Sequence, residues 1–402
     1  MKKYIIFTAD IHPIGGMQNY VAGKVKYLEK KGWSVNVFFN GDHSDTCAMP
    51  NMNRFIAGGF WELTFPPQYW PRVIRNHVFG EMLQQIGPID GEVIIESQSD
   101  ALALWGEELA SKIKAKHFCF NCNERFRGPG KYYAEYMDFF DFKHKRREIA
   151  GIKDNSMSLL FEGYKEVPNE ENYVFVAANE GPVQDVEDYR IDQIKKLDWN
   201  IAYIGRIEKG YVNQILAGVK DLSDSHRTKS IQMVFVGDVG SKKAEIEQIF
   251  KNTNVTCVFL GNCVPIPRKL FAKLDVVVAG SGCARCAAYE NVMTIVADAD
   301  NYLANGVLGI DTFDTLYHEQ DIRQMTYKEA LENVLDSTKY NGKNVCFPKR
   351  MNCEVYYNQH FELIEKSNPK QEYYHYQNAN CSITKSMRTI KFLVHMKLFP
   401  SW

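Results

Sequence analysis

The 402-residue sequence contains no apolar run of the roughly 18 residues needed to cross a bilayer. Its opening, Met1-Lys2-Lys3-Tyr4-Ile5-Ile6-Phe7-Thr8-Ala9-Asp10, has an apolar stretch too short for a signal peptide, and Asp10 ends it. A cytoplasmic location is expected. Charge of one sign is not in excess: 48 Lys and Arg face 49 Asp and Glu, a formal net charge of −1. There is no global basic field to capture nucleic acid, so nucleic acid is not expected as a partner. Cysteine is sparse, ten in the whole chain, which excludes a disulfide framework and implies reduced thiols. Hydrophobic residues at 45% and charged residues at 24% exclude disorder and fibrous repeats. At about 150 residues per domain, the length implies two domains and an appended segment.

The chain reads as two series of alternating strands and helices, which argues for an α/β fold with two doubly wound, Rossmann-like parallel sheets. In the first, a buried strand over 3–9 ends in a loop containing Gly15 and Gly16. A helix over 17–31 follows, with Tyr20, Val21, Val25 and Leu28 as its apolar stripe and Gly32 as its stop. Strands are expected over 34–39, 93–97 and 117–122, with a helix over 101–112. The basic run 143–147 reads as a solvated helix face. The pattern loosens at 179–198, where the domain boundary is placed. The expected domains are 1–185, 186–345 and a C-terminal helical segment, 346–402. The second series has strands over 200–204, 232–236, 255–260, 276–279 and 294–297. Helices fall at 212–222, 242–250, 268–274 with Pro267 at its first position, and 284–291. Thr326-Tyr327-Lys328-Glu329 is a capping box opening a helix over 327–335.

Ligands of doubly wound sheets bind outside the carboxyl ends of the strands, so the residues after each strand are the candidates. In the second series these are Gly205-Arg206…Lys209, then Gly237-Asp238, then Gly261-Asn262, then Gly280-Ser281-Gly282-Cys283-Ala284-Arg285 with Glu290 beyond. Arg206 and Lys209 suit a diphosphate, one by its planar fork and the other as a point charge; they are equally what two surface cations look like. A small-residue loop running into a helix presents free N–H groups to an anion.

In this order the motifs resemble the GT-B-fold, nucleotide-sugar-dependent glycosyltransferases of the large family 4 (glycosyl transferases group 1). The similarity is to the branch found in capsular and other surface polysaccharide loci. It covers most of residues 1–300, most strongly 200–297 and 14–39. It implies that Arg206 and Lys209 bind the donor diphosphate, although their loop is two residues shorter than the usual pattern. It also implies that Gly237, Asp238, Gly261, Asn262, Ser281, Gly282, Arg285 and Glu290 form the donor side. Glu290 matches the second Glu of the family's Glu-x7-Glu motif, which binds the ribose. The first Glu falls on Gly282, a departure that leaves the sugar to backbone N–H groups or Arg285. Gly15 and Gly16 match the glycine loop near the diphosphate and acceptor. The frequent His after the strand at 117–122 is missing, and Asn121, Asn123 and Glu124 occupy that neighbourhood.

The resemblance implies transfer of a sugar from a nucleotide-diphosphate donor to a saccharide or lipid-linked saccharide acceptor, with retention, in polysaccharide or glycolipid biosynthesis. It implies no cofactor and no metal. A GT-B nucleotide-sugar 2-epimerase is the alternative enzyme, with Glu96, Asp100 and Glu124 as its carboxylates; a non-catalytic paralogue is the other. Cys119-x-x-Cys122 with Cys283-x-x-Cys286, and the triplet Asp298-Ala299-Asp300, are weaker metal-site patterns. In the tail, Ile383, Met387, Ile390, Val394 and Leu398 recur at helical spacing with Lys385, Arg388, Lys391 and His395 on another face. Such a helix suits an anionic membrane surface or packs back on the first domain, a crossing that a helix over 353–366 would also make.

Overall fold

The computed structural model describes residues 2–9, 11, 15–42, 47, 49–98, 100–121, 133–151, 157, 160–161, 183–343, 345, 353–367, 372–375 and 393. The sequence-based assignments at Asn123, Glu124 and the tail 383–402 lie outside these residues, apart from Leu393. The chain divides into two compact units, Met1–Glu180 with Asn352–Trp402, and Gly181–Met351.

The first unit is built on six parallel strands: β1 (Lys3–Thr8), β2 (Ser34–Phe39), β3 (Ile56–Gly59), β4 (Val93–Ser97), β5 (Lys116–Asn121) and β6 (Ile149–Gly151), in the order β3-β2-β1-β4-β5-β6. Four helices connect them: α1 (Gly16–Lys30), α2 (Arg72–Ile86), α3 (Asp100–Ile113) and α4 (Tyr133–Lys145). β1 and β4 are wholly buried, because helices cover both faces of the sheet. On one face Tyr20, Val21, Val25 and Leu28 of α1 pack on Tyr4, Ile6 and Ile94, as the apolar stripe predicts. On the other, Val78, Met82, Trp105 and Leu109 pack on Ile5, Phe7 and Ile95. Gly32, at φ +80°, follows the Lys31 cap and ends α1.

The second unit repeats the plan. Strands β8 (Trp199–Ile204), β9 (Ile231–Val236), β10 (Val255–Gly261), β12 (Val276–Ala279) and β13 (Met293–Ala297) are parallel, and β14 (Ala304–Val307) closes the edge antiparallel. Their order is β10-β9-β8-β12-β13-β14. Two short strands, β7 (Val183–Gln184) and β11 (Ile266–Pro267), pair separately. The helices are α5 (Val212–Ser225), α6 (Lys243–Ile249), α7 (Arg268–Phe271), α8 (Ser281–Tyr289) and α9 (Tyr327–Leu335). The Thr326 side chain accepts from the Glu329 N–H at 3.2 Å, as the capping box requires. Counted by appearance, both sheets run 3-2-1-4-5-6, the dinucleotide-fold order.

The last described helix, α10 (Cys353–Lys366), lies in the first unit against α1. Gly23 makes room for it: a β-carbon there would fall 2.1 Å from the Tyr357 hydroxyl.

Several sequence expectations need correction. The strand at 56–59 and the helix at 72–86 fall in a stretch whose turn residues and aromatics hide any periodicity. The basic run is only partly solvated. Lys143 and Arg146 are buried, Lys143 bridging Glu107 at 2.8 Å and Glu148 at 2.7 Å. The helix expected at 268–274 is a single turn with Pro267 as its cap rather than its first residue. That expected at 284–291 begins at Ser281 and ends at Tyr289.

Candidate functional site

Strand order reverses between β8 and β12 in the second sheet and between β1 and β4 in the first. Such switch points open crevices at the carboxyl ends of the strands. Two loops meet at the second-unit switch point. After β8, Gly205 (φ +152°) turns the chain, and the Arg206 carbonyl accepts from the Tyr203 hydroxyl at 2.7 Å. Arg206 and Lys209 are exposed on this loop. After β12, Gly280 caps α8 without a side chain, and the first turn of α8 holds no acidic residue. A β-carbon on Gly280 would approach the Tyr211 hydroxyl to 3.1 Å, so the two loops are in contact.

Cys283, in that first turn, reports the local field. Burial pushes its thiol up to about 11, while the charges of Lys209 and Arg206 pull it back. The charges of Arg206 and Lys209 therefore act on the first turn of α8, which also carries the positive end of the helix dipole.

The neighbouring strand ends complete the rim. Gly237 (φ +139°) lies against Gly205, where a β-carbon would fall 2.2 Å from the Gly205 carbonyl oxygen. The Gly237 N–H donates to the Gly261 carbonyl at 2.9 Å, and the Asp238 N–H donates to Asn262 Oδ1 at 3.1 Å. Asp238 Oδ1 accepts from the Gly240 N–H at 2.9 Å. The fold thus assembles Arg206, Lys209, Gly237, Asp238, Gly261, Asn262, Ser281 and Gly282 at one sheet edge. Arg285 lies one turn into α8 and is half-buried.

Glu290 does not join them. It caps the far end of α8, about 13 Å from the helix start at 1.5 Å per residue. With Arg268, Asp275 and Met293 it lines a cavity beside the amino ends of β12 and β13. Its two oxygens accept from Arg268 Nη1 at 2.7 and 2.6 Å. The helix starts three residues earlier than its sequence suggests and ends at Tyr289, which places Glu290 past its end and apart from the other candidates.

In the first unit, Gly15 and Gly16 form the cap and first residue of α1 at the carboxyl end of β1. Glu96, a candidate acid/base, is enclosed. It accepts from the Tyr4 hydroxyl at 2.6 Å and the Tyr20 hydroxyl at 2.7 Å, with Lys24 Nζ at 3.9 Å. Burial lowers the Lys24 pKa to about 8, against the opposing pull of Glu96. His360 of α10 contacts Lys24 at 3.0 Å. Asn121 ends β5 and is buried.

The weaker metal patterns find other uses. Asp298 Oδ1 accepts from the backbones of Asp300 and Asn301, and Oδ2 from Asn305. Cys119 belongs to the first unit, and Cys283 and Cys286 to the second. Among the described residues no group of three or more His, Cys, Asp or Glu is placed to hold a metal. None of the described helices is long and apolar enough to cross a membrane.

Sequence reading passed over Tyr211 and Gln98. Both stand at strand-end loops, the signal by which the other candidates were found, but neither residue type suggests phosphate chemistry.

No protein-family model and no curated protein matches the chain. Solved structures do. UDP-GlcNAc 2-epimerase from Neisseria meningitidis, bound to UDP-GlcNAc, is 11% identical, with 91% of this chain and 100% of that one covered at a TM-score of 0.56. A glycosyltransferase from Rickettsia africae is 13% identical over 99% of this chain and 100% of that one, with a TM-score of 0.55. HepE from Anabaena, in complex with UDP and glucose, is 11% identical over 98% of this chain and 99% of that one, with a TM-score of 0.52. At these identities the likeness establishes the fold, which is GT-B, in agreement with the two sheets of order 3-2-1-4-5-6.

Proposed function

We propose that the protein is a glycosyltransferase that moves a sugar from a nucleotide-diphosphate donor to an acceptor hydroxyl. The observation that carries the reading is the placement of Arg206 and Lys209 beside the acid-free first turn of α8 at the switch point. When the bond from the anomeric carbon to the diphosphate breaks, charge grows on the departing oxygens. The Arg206 fork, the Lys209 ammonium and the first-turn N–H groups of α8 after Ser281, whose own N–H donates to the Thr315 carbonyl, stabilise that charge. Neighbours crystallised with UDP or a UDP-sugar make a uridine donor the first to test. The reading includes the family 4-like assignment, retention, and a lipid-linked or saccharide acceptor of polysaccharide biosynthesis, all of which rest on the resemblance. It also includes contact of the tail with an anionic membrane surface.

Epimerisation at C2 needs carboxylates free to exchange a proton. Of its three candidate carboxylates, Glu96 is enclosed by Tyr4, Tyr20 and Lys24, which leaves Asp100 and Glu124 to carry that alternative. Product analysis with labelled nucleotide sugars decides. Transfer to an acceptor supports the proposal, release of the 2-epimer contradicts it, and binding without either product marks a non-catalytic paralogue.

A further inference from the structure

His360 of α10 is wholly buried, yet the seat it occupies is charged. Its Nδ1 lies 3.0 Å from Lys24 Nζ, 3.2 Å from the Tyr20 hydroxyl and 4.0 Å from Glu96 Oε2. Its Nε2 has no hydrogen-bond partner among the described residues. Phe118 and Phe120 of β5 pack on the ring, with centroids 5.3 and 4.5 Å from its own.

The neighbours decide where the protons are. The Tyr20 hydroxyl donates its hydrogen to Glu96 Oε1, and the Tyr4 hydroxyl donates to Oε2. Lys24, as an ammonium, has donors only. Nδ1 therefore accepts from Lys24, and the neutral ring carries its proton on Nε2. Tyr27, whose hydroxyl donates to Asn358, and Tyr357 lie against Lys24 and bring no carboxylate.

In this state the cluster is balanced, one carboxylate at Glu96 against one ammonium at Lys24, 3.9 Å apart. A proton added at Nδ1 removes the acceptor that Lys24 uses. It also sets an imidazolium 3.0 Å from an ammonium, with a single carboxylate between two buried cations. The other polar ties of α10 to the first unit include Tyr27 to Asn358 at 2.6 Å, Lys30 to Glu354 at 3.1 Å and Lys116 to the Ile364 carbonyl at 2.8 Å. None of these involves an imidazole, the side chain whose charge changes near neutral pH.

We propose that α10 is an acid-released strap, seated on α1 while His360 is neutral and expelled when His360 takes a proton at Nδ1. The direction follows from linkage. Burial, and then the Lys24 charge, hold the seated imidazole well below its usual 6.5, which it regains on release. Release therefore takes up a proton below pH 6.5, and seating weakens as pH falls from there. Lys24, lowered to about 8 by burial, remains charged throughout this acid window and keeps opposing the proton.

The test is hydrogen exchange on the full-length protein between about pH 5 and 7.5, corrected for the intrinsic pH dependence of exchange. Helix α3, in the same unit, is the reference. Protection of Cys353–Lys366 should fall about five- to tenfold for each pH unit below 6.5, the linkage of one proton, with α3 better protected throughout. His360→Asn keeps an amide oxygen for Lys24 and does not titrate, so its α10 should show no such slope. Lys24→Met removes the opposing cation and leaves Glu96 to receive the imidazolium, so the slope should vanish or reverse. A flat profile in the parent overturns the proposal, as does the parent's slope persisting in either variant. Loss of protection in α10 and α3 together would also overturn it, since the whole unit would then be opening.

Discussion

Arg268 holds both carboxylate oxygens of Glu290 through one nitrogen, Nη1, at 2.7 and 2.6 Å. The same guanidinium donates from Nε to Asp185 at 3.0 Å. This pairing anchors the end of α8 that lies away from the switch point.

Glu290→Gln is expected to leave UDP affinity within about twofold of the parent and to lower stability by about 1 kcal/mol or less, as for other partly exposed pairs. Calorimetric titration and melting check both. A large, selective loss of ribonucleotide affinity would restore Glu290 to the ribose.

Gly237 and Gly240 give a paired prediction. A β-carbon at Gly237 would fall 2.2 Å from the Gly205 carbonyl oxygen, while at Gly240 it meets nothing within 4 Å. Both sit at positive φ, +139° and +47°. Gly240→Ala should cost only the backbone term, about 1–2 kcal/mol, with UDP binding kept. Gly237→Ala must also push the Arg206 loop aside, so it should lose UDP binding as well. Equal binding by the two variants would mean that the Gly205–Lys209 loop does not hold the nucleotide.

The first unit carries a second buried charge cluster. Glu107 accepts from Lys143 at 2.8 Å and lies 2.5 Å from His117 Nδ1. Burial alone would raise the Glu107 pKa, but Lys143 and His117 together hold it down to about 2. A carboxylate depressed on folding contributes stability that is present above its unfolded value of 4.5 and lost as pH falls toward 2. Resistance to urea should therefore fall steeply as pH drops across that window. Lys143→Met leaves Glu107 and Glu148 buried without their cation and should cost about 3–5 kcal/mol at neutral pH. A smaller loss than for an exposed lysine would contradict this.

The tail is approached by truncation. Removal of 383–402 should release the protein from anionic vesicles and leave its melting unchanged, since each Lys or Arg near such a surface contributes about 1 kcal/mol. A falling melting temperature in a protein that never sediments with vesicles would assign the tail to packing instead.

Much of the fold is legible in the sequence because its strands are short continuous apolar runs bounded by glycine. Val93–Ser97 and Val276–Ala279 have the bounds that their residues suggest. The stretch around Ile56–Gly59 is not legible, since Gly58 and Gly59 resemble a turn until the sheet pairs them with Phe38 and Phe39. The strand-end rule finds Arg206, Lys209, Gly237 and Gly261. It cannot place Glu290, whose position turns on where α8 begins. Ser281, at φ +56°, starts the helix with its N–H donating to the Thr315 carbonyl, a tertiary contact that the local pattern does not show. Lys143 and Arg146 read as solvated because each has a carboxylate partner far along the chain, Glu107 of α3 for Lys143 and Glu372 for Arg146.

The most direct test is calorimetric titration of UDP into the parent, Arg206→Ala and Lys209→Ala, with melting curves on all three. The parent should bind, and each variant should keep its melting temperature while losing about 1.5–3 kcal/mol of binding, the worth of a hydrogen bond to a charged group. That is about a ten- to hundredfold weakening. Unchanged affinity in both variants, with normal melting, would contradict the assignment of the α8 switch point as the nucleotide-diphosphate site.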